Sequence, residues 1–310
     1  MTQPRVTAIP RPDGSALPIS RSWHWGRILT AAIALIIVGR LAYAFIASPK
    51  LQWSKVGHYL FNGQILSGIV VTIEISVLAT VIGLVLGVVL AVMLLSHNPV
   101  LRWISTAYIG FFRGTPVLVQ LIFWYNLAFL FPYLIAKVPF TMIGVFWDTN
   151  QVITGFTAAT LGLGLNLAAY FAETVRAGIQ AVDAGQTEAA YAMGMTPAQR
   201  MRVIVLPQAI RIIIPPTGNE FISMLKTTSL VYVVAGHDLM TNASQIYKVN
   251  NLIMELLIVA SIWYLVMTAV ATILQGMLER RFGSDAVRLV RKGGIAAALL
   301  RDRPPAEEGL

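Results

Sequence analysis

Between residues 75 and 95 the chain carries no charged side chain. A run of that length has few fates. Coiled as an α-helix it reaches about 30 Å, the thickness of a bilayer's hydrocarbon core. The run lies inside a longer apolar stretch at 65–95, and comparable stretches recur at 28–47, 108–135, 152–179, 210–234 and 252–277. In lipid, only helices and closed barrels satisfy every backbone N–H and C=O. Barrel strands are short and alternate apolar with polar residues, and no such alternation is visible. The expected fold class is therefore all-α, a polytopic membrane protein of about six transmembrane helices. Composition agrees: 56% of residues are hydrophobic and 12% charged, about half the charge of an ordinary soluble domain.

Several function classes drop out. There is no cysteine, which excludes disulfides and thiolate metal sites, and His24, His58, His97 and His237 lie too far apart for a ligand cluster. No metal site is expected. The net charge is +9, but no basic stretch is interleaved with aromatics, so no nucleic-acid partner is expected. The excess is a topology signal instead. Sixteen Lys and Arg fall in the two tails, at Arg102 and around the 176–211 segment, against Lys50, Lys55, Lys137 and Lys248 in the loops of the other side. By the positive-inside rule this places both termini in the cytoplasm.

The chain divides accordingly. Residues 1–27, rich in Pro and Arg, read as a disordered cytoplasmic tail. Residues 28–59 read as an added N-terminal transmembrane helix and outer loop, 60–282 as the main membrane domain, and 283–310 as a basic cytoplasmic tail. Ala42-Tyr43-Ala44 resembles a signal cleavage site, but the long basic leader and Arg40 argue for a retained helix. Gly83 and Gly87, four apart, let helices approach closely. Gly114 and Pro116 predict a broken or re-entrant start to the third span, and Pro215-Pro216 an interruption in the fifth. Residues 137–151 read as a connecting loop and 236–251 as a polar loop.

The segment 183–207 is a polar island between two spans, placed in the cytoplasm by the charge count. It reads as two short helices joined by a turn. Gly194 suits the position past a helix C-terminus. Thr196 suits an N-cap, Pro197 the first helical position, and Gln199 completes a capping box. Ala189, Ala190 and Ala192 leave a flat helix face against which a partner can pack, Arg200 and Arg202 add surface charge, and Leu206-Pro207 turns the chain back to the membrane. Pattern alone leaves open an ordinary amphipathic loop helix.

Residue identities narrow the choice. Glu188-Ala189-Ala190, three residues, Gly194, nine residues and Ile204-x-Leu206-Pro207 closely resemble the signature loop of the membrane subunits of bacterial ABC importers. The segments 111–121, 169–179 and 218–230 resemble the polar amino-acid permease branch of that family, and the likeness covers about 60–280. The resemblance implies a five-helix permease core, here with one added N-terminal helix, in the bacterial inner membrane. It implies that 183–207 is the coupling loop, with Glu188, Ala189, Ala190, Gly194, Arg200, Leu206 and Pro207 engaging a cytoplasmic ABC ATPase dimer. The remaining partners it implies are a second permease subunit, identical or similar, a periplasmic or surface-tethered amino-acid-binding protein, and membrane lipid. The chain has no Gly-x4-Gly-Lys-Ser/Thr loop, so ATP and Mg are expected on the ATPase and no cofactor on this chain.

Ionisable residues inside spans are costly and mark candidate sites. A zwitterionic amino acid needs donors for its carboxylate and acceptors for its ammonium. Glu173 and Glu74 are candidate acceptors, Gln120, Asn166 and Thr72 candidate hydrogen-bonding groups, and Lys226 a further pathway candidate. Gly162, Gly164 and Pro215-Pro216 are candidates for unwound backbone. Glu173 leads, with bracing of the coupling loop as its alternative role. Arg113 reads as an anchor at a span start or between subunits, and Lys226 with Glu220 as an internal ion pair. The rival function is an ion- or proton-coupled secondary carrier, in which paired repeats are common, and no repeat is visible. An intramembrane enzyme would need a catalytic constellation, and the spans hold no His or Asp. No catalytic residue is expected.

Overall fold

The computed structural model describes residues 25–137 and 144–282. The chain divides into two units, 1–52 and 53–310. The described part of the first includes α1 (Trp25–Ile46), whose Leu29–Ile46 stretch, apolar but for Thr30 and Arg40, buries none of its residues within its own unit. That is the pattern of a helix made for lipid.

The second unit begins with α2 (Trp53–Leu60), whose Val56 is buried. Asn62 then caps α3 (Gly63–Leu94) by accepting from the Gln64 N–H. Thirty-two residues make α3 about 48 Å long. It packs most intimately on α8 (Gly155–Gln180). Glycine makes this approach feasible: a Cβ on Gly83 would meet Leu167, and one on Gly87 would meet Phe171 and the Ala168 carbonyl. Gly162 and Gly164 serve the same purpose, against Leu121 and Ile82. They lie inside unbroken helix rather than in the unwound backbone expected. The core here joins Ile75, Ala79, Leu121, Leu163 and Val231.

Asn98 and Pro99 start α4 (Pro99–Gly114), and Thr115-Pro116 ends it. The chain resumes as α5 (Val117–Tyr125), bent by 101° from α4. The broken start expected at Gly114 and Pro116 is thus a sharp corner. After α6 (Leu127–Leu130), Pro132 stops the helical course. The expected helix to 135 and loop at 137–151 are replaced by an antiparallel hairpin, β1 (Tyr133–Lys137) with β2 (Gly144–Asp148). Tyr133, Ile135, Val145, Phe146 and Trp147 are strand-favouring residues. The turn α7 (Thr149–Val152) leads into α8.

The polar island holds α9 (Ala184–Ala192) and α10 (Pro197–Arg200). Here the second helix is not separate. A π-helical turn, Met201–Val205, joins α10 directly to α11 (Leu206–Thr227). Pro207 has no N–H, and a wider turn before it accommodates its ring: the Leu206 N–H reaches back five residues to the Met201 carbonyl. Pro215 and Pro216 also lie within α11 without breaking it, contrary to the expected interruption. Thr217 donates to the Ile213 carbonyl, and Gln275 to that of Pro215. A 3₁₀ segment, Thr228–Val234, follows. The expected polar loop at 236–251 is largely helical, α12 (Leu239–Asn250), before α13 (Ile253–Phe282).

Among the described residues, four helices are long and apolar enough to cross a membrane, or five with the bent α4–α5 pair. The remaining expected span, the fifth, corresponds to α11, long enough but carrying Arg211, Asn219, Glu220 and Lys226. The fold is an all-α polytopic membrane architecture with one small hairpin.

Candidate functional site

The coupling-loop candidates occupy a segment shaped mainly by its own caps. Asp183 opens α9 by accepting from the Gly185 N–H at 2.7 Å. The helix ends in a Schellman motif: the Met195 N–H bonds the Ala190 carbonyl at 3.1 Å, the Gly194 N–H bonds that of Tyr191 at 2.9 Å, and Gly194 takes φ +75°. Thr196 and Gln199 form the full capping box at the start of α10. Of the candidates, Glu188, Ala189, Gly194, Leu206 and Pro207 are exposed, Arg200 is half-buried and Ala190 is fully buried. Ala190 therefore faces inward and leaves the outer surface to Ala189 and Ala192. Sequence reasoning passed over Tyr191, Met193 and Val203, three apolar side chains exposed on this segment.

A cavity of about 610 Å³ opens where the α4–α5 corner meets α8 and α11. Pro116 creates the corner. It cannot donate to the Phe112 carbonyl, and two side chains take its place: Gln120 donates to that oxygen at 3.0 Å and Asn166 donates to it at 3.0 Å. The Gln120 amide also donates to the Thr115 carbonyl and hydroxyl, and accepts from Asn166. Gln120 thus holds the corner from behind, while Asn166 lines the cavity as well. The other polar lining comes from Arg113, Thr115, Tyr170, Glu220, Ser223 and Thr227. Glu220, Ser223 and Thr227 recur at i, i+3 and i+7, one face of α11, a spacing that the sequence contains and that marks this wall.

Glu173 lies beside the cavity and not in its lining. Its carboxylate receives Arg176 Nε and Nη2, each at 2.7 Å, and Arg113 Nη1 approaches it at 3.9 Å. Arg176 continues to Gln180 Oε1 at 2.7 Å. A polar chain therefore runs from the corner along α8 to the end that leads into α9. The Arg113 guanidinium also lies 5.3 Å from the Tyr170 ring centroid.

The other pathway candidates are elsewhere. Thr72 is buried, and its hydroxyl accepts the Leu239 N–H at 3.0 Å, fastening α12 to α3. Glu74 and Lys226 are exposed and outside the cavity lining. Lys226 forms no ion pair with Glu220; among the described residues, the ion pairs at this site are those of Glu173. Sequence reasoning also missed Asp238, a buried carboxylate that caps α12 through the Met240 and Thr241 N–H groups. Burial pushes its carboxyl above the usual range, against the pull of those bonds and of the Thr241 hydroxyl.

Residues 83–284 match the family described as binding-protein-dependent transport system inner membrane component. The arginine transport system permease protein ArgU of Corynebacterium glutamicum is 40% identical over 94% of this chain and 90% of its own length. The probable glutamine ABC transporter permease protein GlnM of Bacillus subtilis is 36% identical over 70% of this chain and 92% of its own. A crystal structure of an amino acid ABC transporter with histidines superposes with a TM-score of 0.61 at 38% identity, covering 70% of this chain and 94% of that one. The chain is a membrane permease subunit of an importer, and it belongs to the family of binding-protein-dependent transport system inner membrane components. The family resemblance seen in the 188–207 motif is thereby established.

Proposed function

We propose that this chain, paired with a second identical or similar permease subunit, forms the pathway by which a polar amino acid crosses the bacterial inner membrane. One observation carries the reading: a single cavity is lined by a cation, Arg113, an anion, Glu220, and the hydroxyls of Ser223 and Thr227. An amino acid's backbone carries one carboxylate and one ammonium, and this lining offers a partner to each. The printed names of the relatives, arginine and glutamine permeases, support the same substrate class. Within this reading Asn166 touches the pathway. Gln120 and Thr72 hold the corner and α12, and Glu173 braces Arg113 and Arg176 above the loop. Glu74 and Lys226 stand outside the cavity of the single subunit.

Energy comes from a separate cytoplasmic ABC ATPase dimer, which binds ATP and Mg, while this chain holds no cofactor. The 183–207 loop docks on that ATPase through Glu188, Ala189, Gly194, Arg200, Leu206 and Pro207, with Ala190 packed beneath. The exposed capped helices and the absence of a phosphate loop support this division. A periplasmic or surface-tethered amino-acid-binding protein delivers the substrate at the opposite face. Both termini are cytoplasmic, a reading supported by the charge asymmetry.

The test is co-purification with the proteins produced alongside it, followed by uptake in proteoliposomes. An ATPase subunit accompanies the chain, and uptake requires ATP. Glu220→Gln and Arg113→Ala abolish most uptake while leaving the complex assembled. Uptake on an ion gradient alone, with no ATPase bound, establishes the secondary-carrier reading instead.

A further inference from the structure

The β1–β2 hairpin plays no part in the importer reading, and its surface is unusual. Its base is fastened: Thr149 is buried, its N–H donates to the Pro132 carbonyl at 3.0 Å, and its hydroxyl donates to that of Phe131. Beyond the base the strands touch chiefly each other and α7. Successive strand residues point to opposite faces, and each face here exposes large apolar side chains. Ile135 and Phe146 pair on one face, 58% and 62% exposed. Leu134 and Trp147 pair on the other, with Trp147 47% exposed. A lone two-stranded hairpin is marginal in water, and this one presents aromatic rings on both sides.

Position says what covers it. From Gly114 to Ala136 the chain carries no charged residue. The exposed apolar surface of α5, at Val119 and Phe123, continues through Phe129 and Phe131 into the strands. That surface belongs to a membrane span, and the hairpin extends it. The hairpin also joins the start of α8, whose 26 residues set it about 39 Å from the 183–207 loop. Tyr and Trp favour the membrane–water boundary, where an apolar ring and a polar tip are both satisfied. A docked protein covers one face of a hairpin. The headgroup–acyl boundary of a bilayer surrounds both.

We infer that the β1–β2 hairpin is a lipid-binding arm, immersed on both faces in the headgroup–acyl boundary of the leaflet opposite the 183–207 loop.

The absence of cysteine makes the test clean. Single-cysteine variants F146C and W147C of the full chain, one on each face, are labelled with nitrobenzoxadiazole and placed in phosphatidylcholine nanodiscs. I135C replaces F146C, and L134C replaces W147C, should either variant fail to elute as a folded species. The expected result is blue-shifted emission at both positions, loss of most of that emission when the lipids carry a spin label near the headgroup, and little quenching by aqueous iodide. Iodide quenching without lipid quenching overturns the inference, as does lipid quenching on one face only. Protection that appears only when an amino-acid-binding protein is added, or a disulfide between two copies of unlabelled F146C together with no lipid quenching of the labelled protein, also overturns it and assigns the surface to a protein.

Discussion

The large unit closes one of its ends and leaves the other open, though both are built from short, well-capped helices. At the α12 end, Leu239 and Ala243 are fully buried, Thr72 receives the Leu239 N–H, and the Asn242 amide donates to the Gln64 carbonyl. At the α9–α10 end, Tyr191 is 76% exposed, Met193 71% and Val203 59%. The difference is not in local order, because the Schellman motif and capping box shape the open end as firmly as Asp238 shapes the closed one. It lies in what covers the apolar side chains. A segment held in shape by its own caps, with apolar groups left uncovered, has the form of a docking surface. The closed end is held by tertiary burial. Substitutions there are expected to cost folding, and substitutions at the open end to cost partner binding.

The largest loss of fold stability is expected from Gly68→Val. A Cβ at Gly68 would lie 2.8 Å from the Leu239 Cα and 3.0 Å from the Asn242 amide nitrogen, so α12 must lift from α3. Overpacking of this kind costs about 1–3 kcal/mol, seen as a lowered Tm in detergent, while the folded fraction still captures the ATPase. Lost capture by folded protein would break the distinction between the ends. Asp238→Ala comes next. It removes an N-cap worth about 1–2 kcal/mol. Asp238→Asn keeps one acceptor and costs less. Burial raises the Asp238 carboxyl, so folding favours its protonated form. Its contribution is fully present below the unfolded value and is lost as pH rises through the raised folded one. Thermal stability of the wild type therefore declines across that window, and the Asn variant, with nothing to titrate there, shows a flatter profile.

The two ends also differ in how far they could be read beforehand. The open end was legible in detail because its structure is local. Gly194, Thr196, Pro197 and Gln199 act on neighbours within a turn, and the chain order alone states their geometry. The closed end reads in sequence as a polar loop, although Asp238 followed by Leu239, Ala243 and Ile246 carries a cap and an apolar stripe. The stripe is short, and what makes it helical is burial against Gly68 and Thr72, distant in sequence. The same reason hid the cavity. Arg113 and Glu220 were visible as charges in spans, but only the α4–α5 corner brings their helices together. Gln120 and Asn166 read as substrate ligands because both are polar residues in apolar runs. In the fold both serve the Phe112 carbonyl that Pro116 leaves unpaired, and Asn166 lines the cavity as well.

Gly194→Asp tests the open end at moderate cost. An L side chain in the left-handed region costs about 1–2 kcal/mol, less for Asp than for most, and nothing else lies within 4 Å of the added Cβ. The strain stays within the loop. Span packing and Tm are expected to hold nearly constant while ATPase capture falls. A Tm drop as large as that of Gly68→Val would mean that the loop is part of the core.

Tyr191→Ser should perturb the fold least and therefore sharpens the comparison most. The ring is 76% exposed and its backbone carbonyl, which the Gly194 N–H uses, is unaffected by the change. Surface substitutions of this kind alter stability by about 0.5 kcal/mol or less. An aromatic anchor at the centre of an interface is commonly worth about 2 kcal/mol, more than tenfold in affinity. Titration of purified ATPase against the reconstituted permease should therefore show weakened binding with an unchanged Tm. Tyr191→Phe keeps the ring and should bind nearly as the wild type does. Equal losses in both variants would trace the effect to the hydroxyl, and unchanged binding in both would remove Tyr191 from the docking surface. Only ring-dependent binding with intact stability fits an end whose apolar groups are held ready for a partner rather than for the core.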